Sequence, residues 1–378
     1  MADLFEKVTN NKRFELLLRI LTVLCLLYFF LSGVKTLSGG LKLMGQGFTD
    51  GLFDLTANPF VSLMAGMLAT VLFQSSSVTT SIIVGLVGSG AITVGGAVPM
   101  IMGANIGTSV TNTLVSLGFV GDNKNFKRAF AAATVHDFFN LLSVAVLLPL
   151  EIATGFFEKS ANYLAALLYG SASGMKFSSP VKAAIKPFTS FIKSTVYDFA
   201  GSEYAAVTMV LLAGVMIIFS LTLIIKVMSN FVASKEESFI EQVFSKNPYT
   251  AVVVGFCLTI MAQSSSITTS LLIPMAGSGL LTVNSIYPAT VGANIGTTAT
   301  ALLAAMTGNM AGLAIALVHL IFNLVGTLLF FVHPTMRKIP VFCAEFLASG
   351  IDRTKFVGFG FVAFVFFIFP ISMIFITQ

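Results

Sequence analysis

The chain alternates long apolar stretches with short polar interruptions. A hydrocarbon core about 30 Å thick requires about 20 apolar residues per helical span, and the first apolar run, about 15–33, meets that length. Two longer stretches contain no Asp, Glu, Lys or Arg at all: 67 residues over 55–121 and 90 over 247–336. Each is long enough for several membrane-embedded pieces. Both are nonetheless broken by polar clusters, Gln74-Ser75-Ser76-Ser77 in one and Gln263-Ser264-Ser265-Ser266 in the other. The apolar arm before the first cluster, Phe60 to Phe73, has 14 residues, and the arm after it, Val78 to about Gly88, has 11. Both are shorter than a span, which predicts a hairpin that enters the membrane and returns. Irregular backbone at that depth is tolerated only where it lines a cavity or is buried in protein.

The two clusters belong to an internal repeat at an offset of 189. Residues 74–108 and 263–297 are identical at 19 of 35 positions, mostly polar residues and glycine. The same offset carries a span at about 15–36 onto 204–225. Six residues fewer in the second connecting loop bring His136-Asp137-Phe138-Phe139-Asn140 opposite His319-Leu320-Ile321-Phe322-Asn323. The predicted organisation is a cytoplasmic N-terminus (1–14), a first repeat (15–150), a connector (151–203), a second repeat (204–332), and a C-terminal segment (333–378) with one extra span at about 356–376. Lys124, Lys127 and Arg128 precede the first His-bearing helix, whereas basic residues follow the second, at Arg337 and Lys338. Equivalent loops therefore fall on opposite sides under the positive-inside rule. The expected fold is an all-α polytopic membrane protein of two inverted-topology repeats, each with a re-entrant helical hairpin. The connector would be external yet carries Lys159, Lys176, Lys182, Lys186 and Lys193, as long loops can.

Composition sharpens this picture. The chain of 378 residues is 56% hydrophobic and 10% charged, against about a quarter charged in soluble domains, which excludes an ordinary water-soluble enzyme. The net charge of +5 resides in short flanks such as Lys7, Lys12 and Arg13, so nucleic acid is not an expected partner. Cys25, Cys257 and Cys343 are far apart in apolar surroundings and read as packing residues. The first apolar run is too long for a cleavable signal. The expected location is the plasma membrane, or the inner membrane of a bacterium, crossed several times.

The polar clusters suggest an oxyanion site. Three hydroxyls and an amide at a helix break offer several donors, and the following arm points its free N–H groups at the same spot, where a helix N-terminus favours negative charge. Gln74, Ser75, Ser76, Ser77, Gln263, Ser264, Ser265 and Ser266 are the candidate anion ligands. The plainer alternative is that these residues cap helices or cement helix contacts. Neither charge-free stretch holds a Lys or Arg to neutralise an anion, whose burial on hydrogen bonds alone is costly. Mobile sodium ions are the natural compensation. Neutral oxygens are available from Thr79, Thr80 and Ser81, from Thr268, Thr269 and Ser270, and from the paired Gly-Ala-Asn-Ile-Gly-Thr segments with Asn105, Thr108, Asn294 and Thr297. Those segments also suit close helix packing through glycine. Asp137 faces Leu320 in the repeat alignment; it reads as a third cation ligand or as an interfacial acid paired with His136. His136 and His319 share a helix face with Asn140 and Asn323, which suits structural hydrogen bonding.

The doubled Gln-Ser-Ser-Ser motifs, the two Gly-Ala-Asn-Ile-Gly-Thr segments, and the stretch from Arg128 to His136-Asp137-Phe138-Phe139-Asn140 together resemble the type II sodium-phosphate cotransporter family. The resemblance covers nearly all of both repeats. It implies uptake of inorganic phosphate driven by the sodium gradient, with phosphate held between the two hairpins; the expected mechanism couples two or three sodium ions to phosphate by alternating access. It implies that Asp137 marks members that move net charge, and that Asp122 and Asn140 are further sodium-site positions. It implies a transporter rather than an enzyme, with sodium as co-substrate and no cofactor; the oligomeric state is left open, with a homodimer as the one arrangement considered. No Cys lies in 151–203, so the external disulfide of animal members is not expected. The family expectation of two internal termini would require a further crossing in 151–203 or 333–355. Apart from the family, a sodium-coupled carrier of another small anion would fit the serines equally. An intramembrane lipid-pyrophosphate phosphatase would need a basic clamp or an acid–base carboxylate beside the phosphate, and the hairpins contain neither.

Overall fold

The computed structural model describes residues 12–170, 180–232 and 247–377. Residues 1–11, most of the expected N-terminal segment, and 171–179 of the connector, with Lys176, lie outside the described residues. Among the described residues all regular structure is helical.

The two copies of the repeated sequence build the same series of breaks. Helix α1 (Lys12–Leu43) leads through α2 (Gln46–Ala57) into α3 (Pro59–Phe73), α4 (Ser76–Ser89), α5 (Val94–Thr108) and α6 (Val110–Leu117). After α7 (Asn123–Thr154), α8 (Phe156–Gly170) and α9 (Pro180–Val232), the counterparts of α3 to α6 are α10 (Pro248–Ala262), α11 (Ser265–Ser270), α12 (Leu272–Ser278) and α13 (Val283–Ala305). Capping chemistry explains the correspondence. Asn58 and Asn247 accept bonds from the first free N–H groups of α3 and α10, each followed by Pro at the first helical position. Thr93 and Thr282 cap α5 and α13 in the same way. Gly90 and Gly279 end α4 and α12 at φ 85° and 88°, a left-handed conformation that glycine adopts without strain. One sequence difference alters the pattern. Pro274 stands where α4 has Gly85, and it offers no N–H to the Ser270 carbonyl, so the second arm divides into α11 and α12 at Leu271.

Helix α9 is interrupted at Gly201 (φ 70°, ψ 170°) and is two helices joined by a kink. Its second half packs along α1, where a Cβ on Gly33 or Gly40 would meet the Cβ of Met216 or Met209 at 3.0 Å. The remaining elements are α14 (Met310–Thr327), a wider turn over Leu328–Val332, α15 (Pro334–Ser349), α16 (Phe356–Ala363) and α17 (Phe369–Thr377). Helix α8 packs on α14 and α15 packs on α7. The helices that follow the two His-bearing helices are thus exchanged between the halves, which carries the correspondence past the expected ends at 150 and 332.

Among the described residues, five helical segments are long and apolar enough to cross a membrane: Ile20–Leu43, Asn123–Thr154, Ala183–Val227, Met310–Val332 and Phe356–Thr377. A sixth is reached if Asp50–Ala57 and Pro59–Phe73, bent by 105°, count together. The exterior is correspondingly apolar, with Leu72, Phe199, Phe356 and Phe375 exposed, whereas Thr80, Ser81, Ser109, Thr113 and Asn140 are buried. The chain is a multi-pass, all-helical membrane protein. Cys25 and Cys257 are free thiols on the exposed surface and Cys343 is half-buried. Their apolar neighbours in sequence therefore reflect a lipid-facing surface more than core packing.

Candidate functional site

Gln74 and Gln263 are the two non-glycine residues at positive φ among the described residues, both at 52°. Left-handed backbone costs an L-residue roughly 1–2 kcal/mol, and the same three contacts hold it in each copy. The side-chain amide donates back to the preceding helix, to the Val71 carbonyl at 2.7 Å and the Ile260 carbonyl at 2.6 Å. The side-chain carbonyl accepts from a threonine 37 residues on, Thr111 for Gln74 and Thr300 for Gln263, each at 3.0 Å. The next residue, Ser75 or Ser264, is extended and caps the following arm by accepting from the Val78 or Ile267 amide. Capping is therefore one use of the motif, for the glutamine and the first serine.

The second and third serines take no part in this capping. Ser76, Ser77 and Ser265 are buried, at 5%, 3% and 2% exposure, and Ser266 is half-buried. The two motifs touch: Ser77 Oγ donates to the Gln263 carbonyl at 3.3 Å and lies 3.5 Å from Thr300 Oγ1. Two helix N-termini lined with hydroxyls thus meet in the interior. Thr79 and Thr268, one turn further on, bond the Ser75 and Ser264 carbonyls, and Thr259 donates to Thr268 at 3.0 Å.

The Gly-Ala-Asn-Ile-Gly-Thr segments do pack through glycine. A Cβ on Gly103 would lie 1.9 Å from the Leu63 carbonyl oxygen, and one on Gly292 would lie 1.9 Å from that of Val252. Backbone therefore meets backbone between α3 and α5 and between α10 and α13. Thr108 and Thr297 bond carbonyls of their own helices, at 2.8 and 3.1 Å. The asparagines lie in a buried chain of hydrogen bonds that crosses the two halves. Thr269 and Ser270 donate to Asn112 Oδ1 at 2.9 and 3.0 Å. Asn112 Nδ2 faces His136 Nδ1 at 3.4 Å, and His136 Nε2 faces Asn294 Oδ1 at 2.7 Å. Asn294 Nδ2 donates to Asn140 Oδ1 at 2.6 Å, and Asn140 Nδ2 to the Asn105 carbonyl at 2.7 Å. Every donor meets an acceptor when His136 carries its proton on Nε2.

Asp137 lies beside this chain, fully buried. Its Oδ2 accepts from Thr113 at 2.9 Å and its Oδ1 has no protein partner. The alternative pairing with His136 is not formed, because the His136 ring is committed to Asn112 and Asn294. Asp122 is elsewhere: it is exposed and caps α7, accepting from the amides of Lys124 and Asn125 and from the Asn125 side chain. The fold thus joins Asn105, Asn140 and Asn294 in one chain of bonds and Ser77 with Gln263, whereas Thr79, Thr108 and Thr297 bond carbonyls of their own segments and Asp122 stays at the end of a helix. Thr111, Asn112, Thr113 and Thr300 are the site residues that the sequence reading missed. The offset of 189 still matches Thr111 with Thr300, three residues past the Gly-Ala-Asn-Ile-Gly-Thr segments, whereas Asn112 and Thr113 correspond to Ala301 and Leu302 and carry no such signal.

The family described as Na+/Pi-cotransporter matches residues 29–173 and 216–351. The chain is 34% identical over 432 residues to sodium-dependent phosphate transport protein 2A of Rattus norvegicus, covering 95% of this chain and 67% of the relative. It is 32% identical over 447 residues to sodium-dependent phosphate transport protein 2B of Homo sapiens, covering 94% of this chain and 64% of the relative. No solved structure matches. With both halves of the fold inside the family's match and nearly the whole chain aligned with these relatives, the chain belongs to the Na+/Pi-cotransporter family, whose members are transporters rather than enzymes.

Proposed function

We propose that this protein imports inorganic phosphate together with sodium ions, by alternating access between two inverted repeats whose re-entrant hairpins enclose the phosphate. The observation that carries the reading is the contact of the two Gln-Ser-Ser-Ser breaks through Ser77 and Gln263. Ser75, Ser76 and Ser77 from one side and Ser264, Ser265 and Ser266 from the other supply hydroxyls. The first-turn amides of α4 and α11 supply further donors and the positive ends of helix dipoles. Gln74 and Gln263 act by holding the breaks open, since their amides are already bonded.

Sodium compensates the anion because the charge-free stretches offer no fixed cation. Thr79, Thr108, Thr268 and Thr297 contribute neutral oxygens along with carbonyls freed at the breaks. Asn105, Asn140 and Asn294 order the walls of this site through their hydrogen-bond chain. Asp137, with one carboxylate oxygen unpartnered, is the ligand for an additional sodium and makes the cycle move net charge. Asp122 serves as a helix cap outside the site.

Uptake of labelled phosphate into proteoliposomes, with sodium inside, outside, or replaced by choline, tests the reading. Uptake that follows an inward sodium gradient and resists competition by sulfate supports it. Uptake indifferent to sodium removes the coupling, and preference for sulfate or a carboxylate replaces the substrate.

A further inference from the structure

Equivalent residues in the two halves make unequal hydrogen bonds, and the inequality has a pattern. His136, Asn140 and Asn294 correspond to His319, Asn323 and Asn105 by the repeat. In the first set, His136 Nε2 meets Asn294 Oδ1, Asn294 Nδ2 meets Asn140 Oδ1, and Asn140 Nδ2 meets the Asn105 carbonyl. In the second set, both ring nitrogens of His319 and Asn323 Oδ1 have no partner although both side chains are buried. The groups that should meet them have turned away. Asn105 Nδ2 donates to the Ile101 carbonyl of its own helix at 2.9 Å, and Asn323 Nδ2 to the His319 carbonyl at 3.0 Å. A buried polar atom without a partner loses its hydrogen bonds to water without replacement, so the unfilled set is a cost that this arrangement of the fold bears.

We propose that Asn105 and His319 are positioning residues of the opposite-facing state, in which the two sets exchange roles. This rests on the alternating-access reading above, for inverted repeats adopt each other's conformation when access is reversed. There His319 Nε2 donates to Asn105 Oδ1, Asn105 Nδ2 donates to Asn323 Oδ1, and Asn323 Nδ2 donates to the Asn294 carbonyl. Asn294 in turn folds back on the Thr290 carbonyl, as Asn105 now does on that of Ile101. Two of the three unpartnered atoms, His319 Nε2 and Asn323 Oδ1, acquire partners, while His319 Nδ1 does not. The exchange is unequal in one respect: Asn112, which bonds His136 Nδ1 and links it to Thr269 and Ser270 beside the second serine motif, corresponds to Ala301. The arrangement seen here therefore has one more hydrogen bond and a direct connection to the hairpin, and is the state favoured without substrate.

A double-mutant cycle tests the pairing. Asn105→Ala and His319→Ala should each slow turnover in proteoliposomes by roughly 5- to 10-fold, with the double variant no slower than either single one. Equilibrium phosphate binding by His319→Ala in detergent should stay within about 2-fold of wild type, and His319→Gln, which retains an N–H donor, should recover part of the rate. Multiplicative losses in the double variant, or unchanged turnover in both single ones, overturn the proposal. A proximity measurement keeps the question open to decision even if the cargo is another anion. In a Cys25→Ser, Cys257→Ser, Cys343→Ser background, a short bifunctional thiol reagent should link Asn105→Cys to His319→Cys in membranes. No product in the time that fully links His136→Cys to Asn294→Cys also overturns it. Absence of sodium-driven phosphate uptake by the wild-type protein, by contrast, overturns the function proposed above and leaves the linking result to stand or fall by itself.

Discussion

Thr111 donates a hydrogen bond to Gln74 Oε1 at 3.0 Å, and Thr300 makes the same bond to Gln263 at the same distance. Each bond ties a left-handed break to the helix that carries the Gly-Ala-Asn-Ile-Gly-Thr segment or its continuation. The position of the serine hydroxyls therefore depends on a threonine outside the motif. Thr111→Val and Thr300→Val should each raise the KM for phosphate about 5-fold, the equivalent of one hydrogen bond of about 1 kcal/mol. Concentration-dependent uptake measures this, and wild-type kinetics in both variants would refute it.

Removing the hydroxyls themselves should cost more, because their proposed partner is charged. Hydrogen bonds to ions contribute about 1.5–3 kcal/mol, so Ser76→Ala and Ser265→Ala should each weaken phosphate affinity by about 10-fold or more. Titration of purified protein with phosphate in sodium buffer gives the value directly. Equal affinity in wild type and both variants would place the anion elsewhere.

The unpartnered oxygen of Asp137 bears on charge movement. Asp137→Asn keeps the shape and the acceptor for Thr113 but loses the carboxylate, and should lower the charge moved per phosphate. Thr113→Val leaves the charge in place and should weaken sodium dependence while preserving that ratio. Simultaneous current and flux recordings separate the two; a ratio unaltered by Asp137→Asn rejects the cation role.

Gly103→Ala and Gly292→Ala test the packing within each half rather than the chemistry. The added methyl would stand 1.9 Å from a backbone oxygen, so the helices must separate, at a cost of about 1–3 kcal/mol or more. Thermal unfolding in detergent should occur several degrees lower for both variants. Gly51→Ala, with nothing near its Cβ, should unfold no lower than wild type.

The sequence by itself determined which residues recur and where the chain must break. Capping and helix termination are local: Asn before Pro, Ser after Gln, and Gly at a left-handed end each act on the nearest few residues, so their repetition at an offset of 189 builds matching breaks in both copies. It also determined the membrane class, because an absence of charge over such lengths has no other solvent. The pairing of groups distant in the chain was decided only by tertiary structure. Asp137 bonds Thr113 rather than the adjacent His136, since neighbours on a helix point to different faces while α6 brings Thr113 alongside. Asp122 caps α7 because the chain turns there toward solvent, although family resemblance suggested a sodium ligand. The bond from His136 to Asn294, and the missing one at His319, required both halves packed together. One repeated sequence can occupy two arrangements, and only the folded interior shows which copy has its partners.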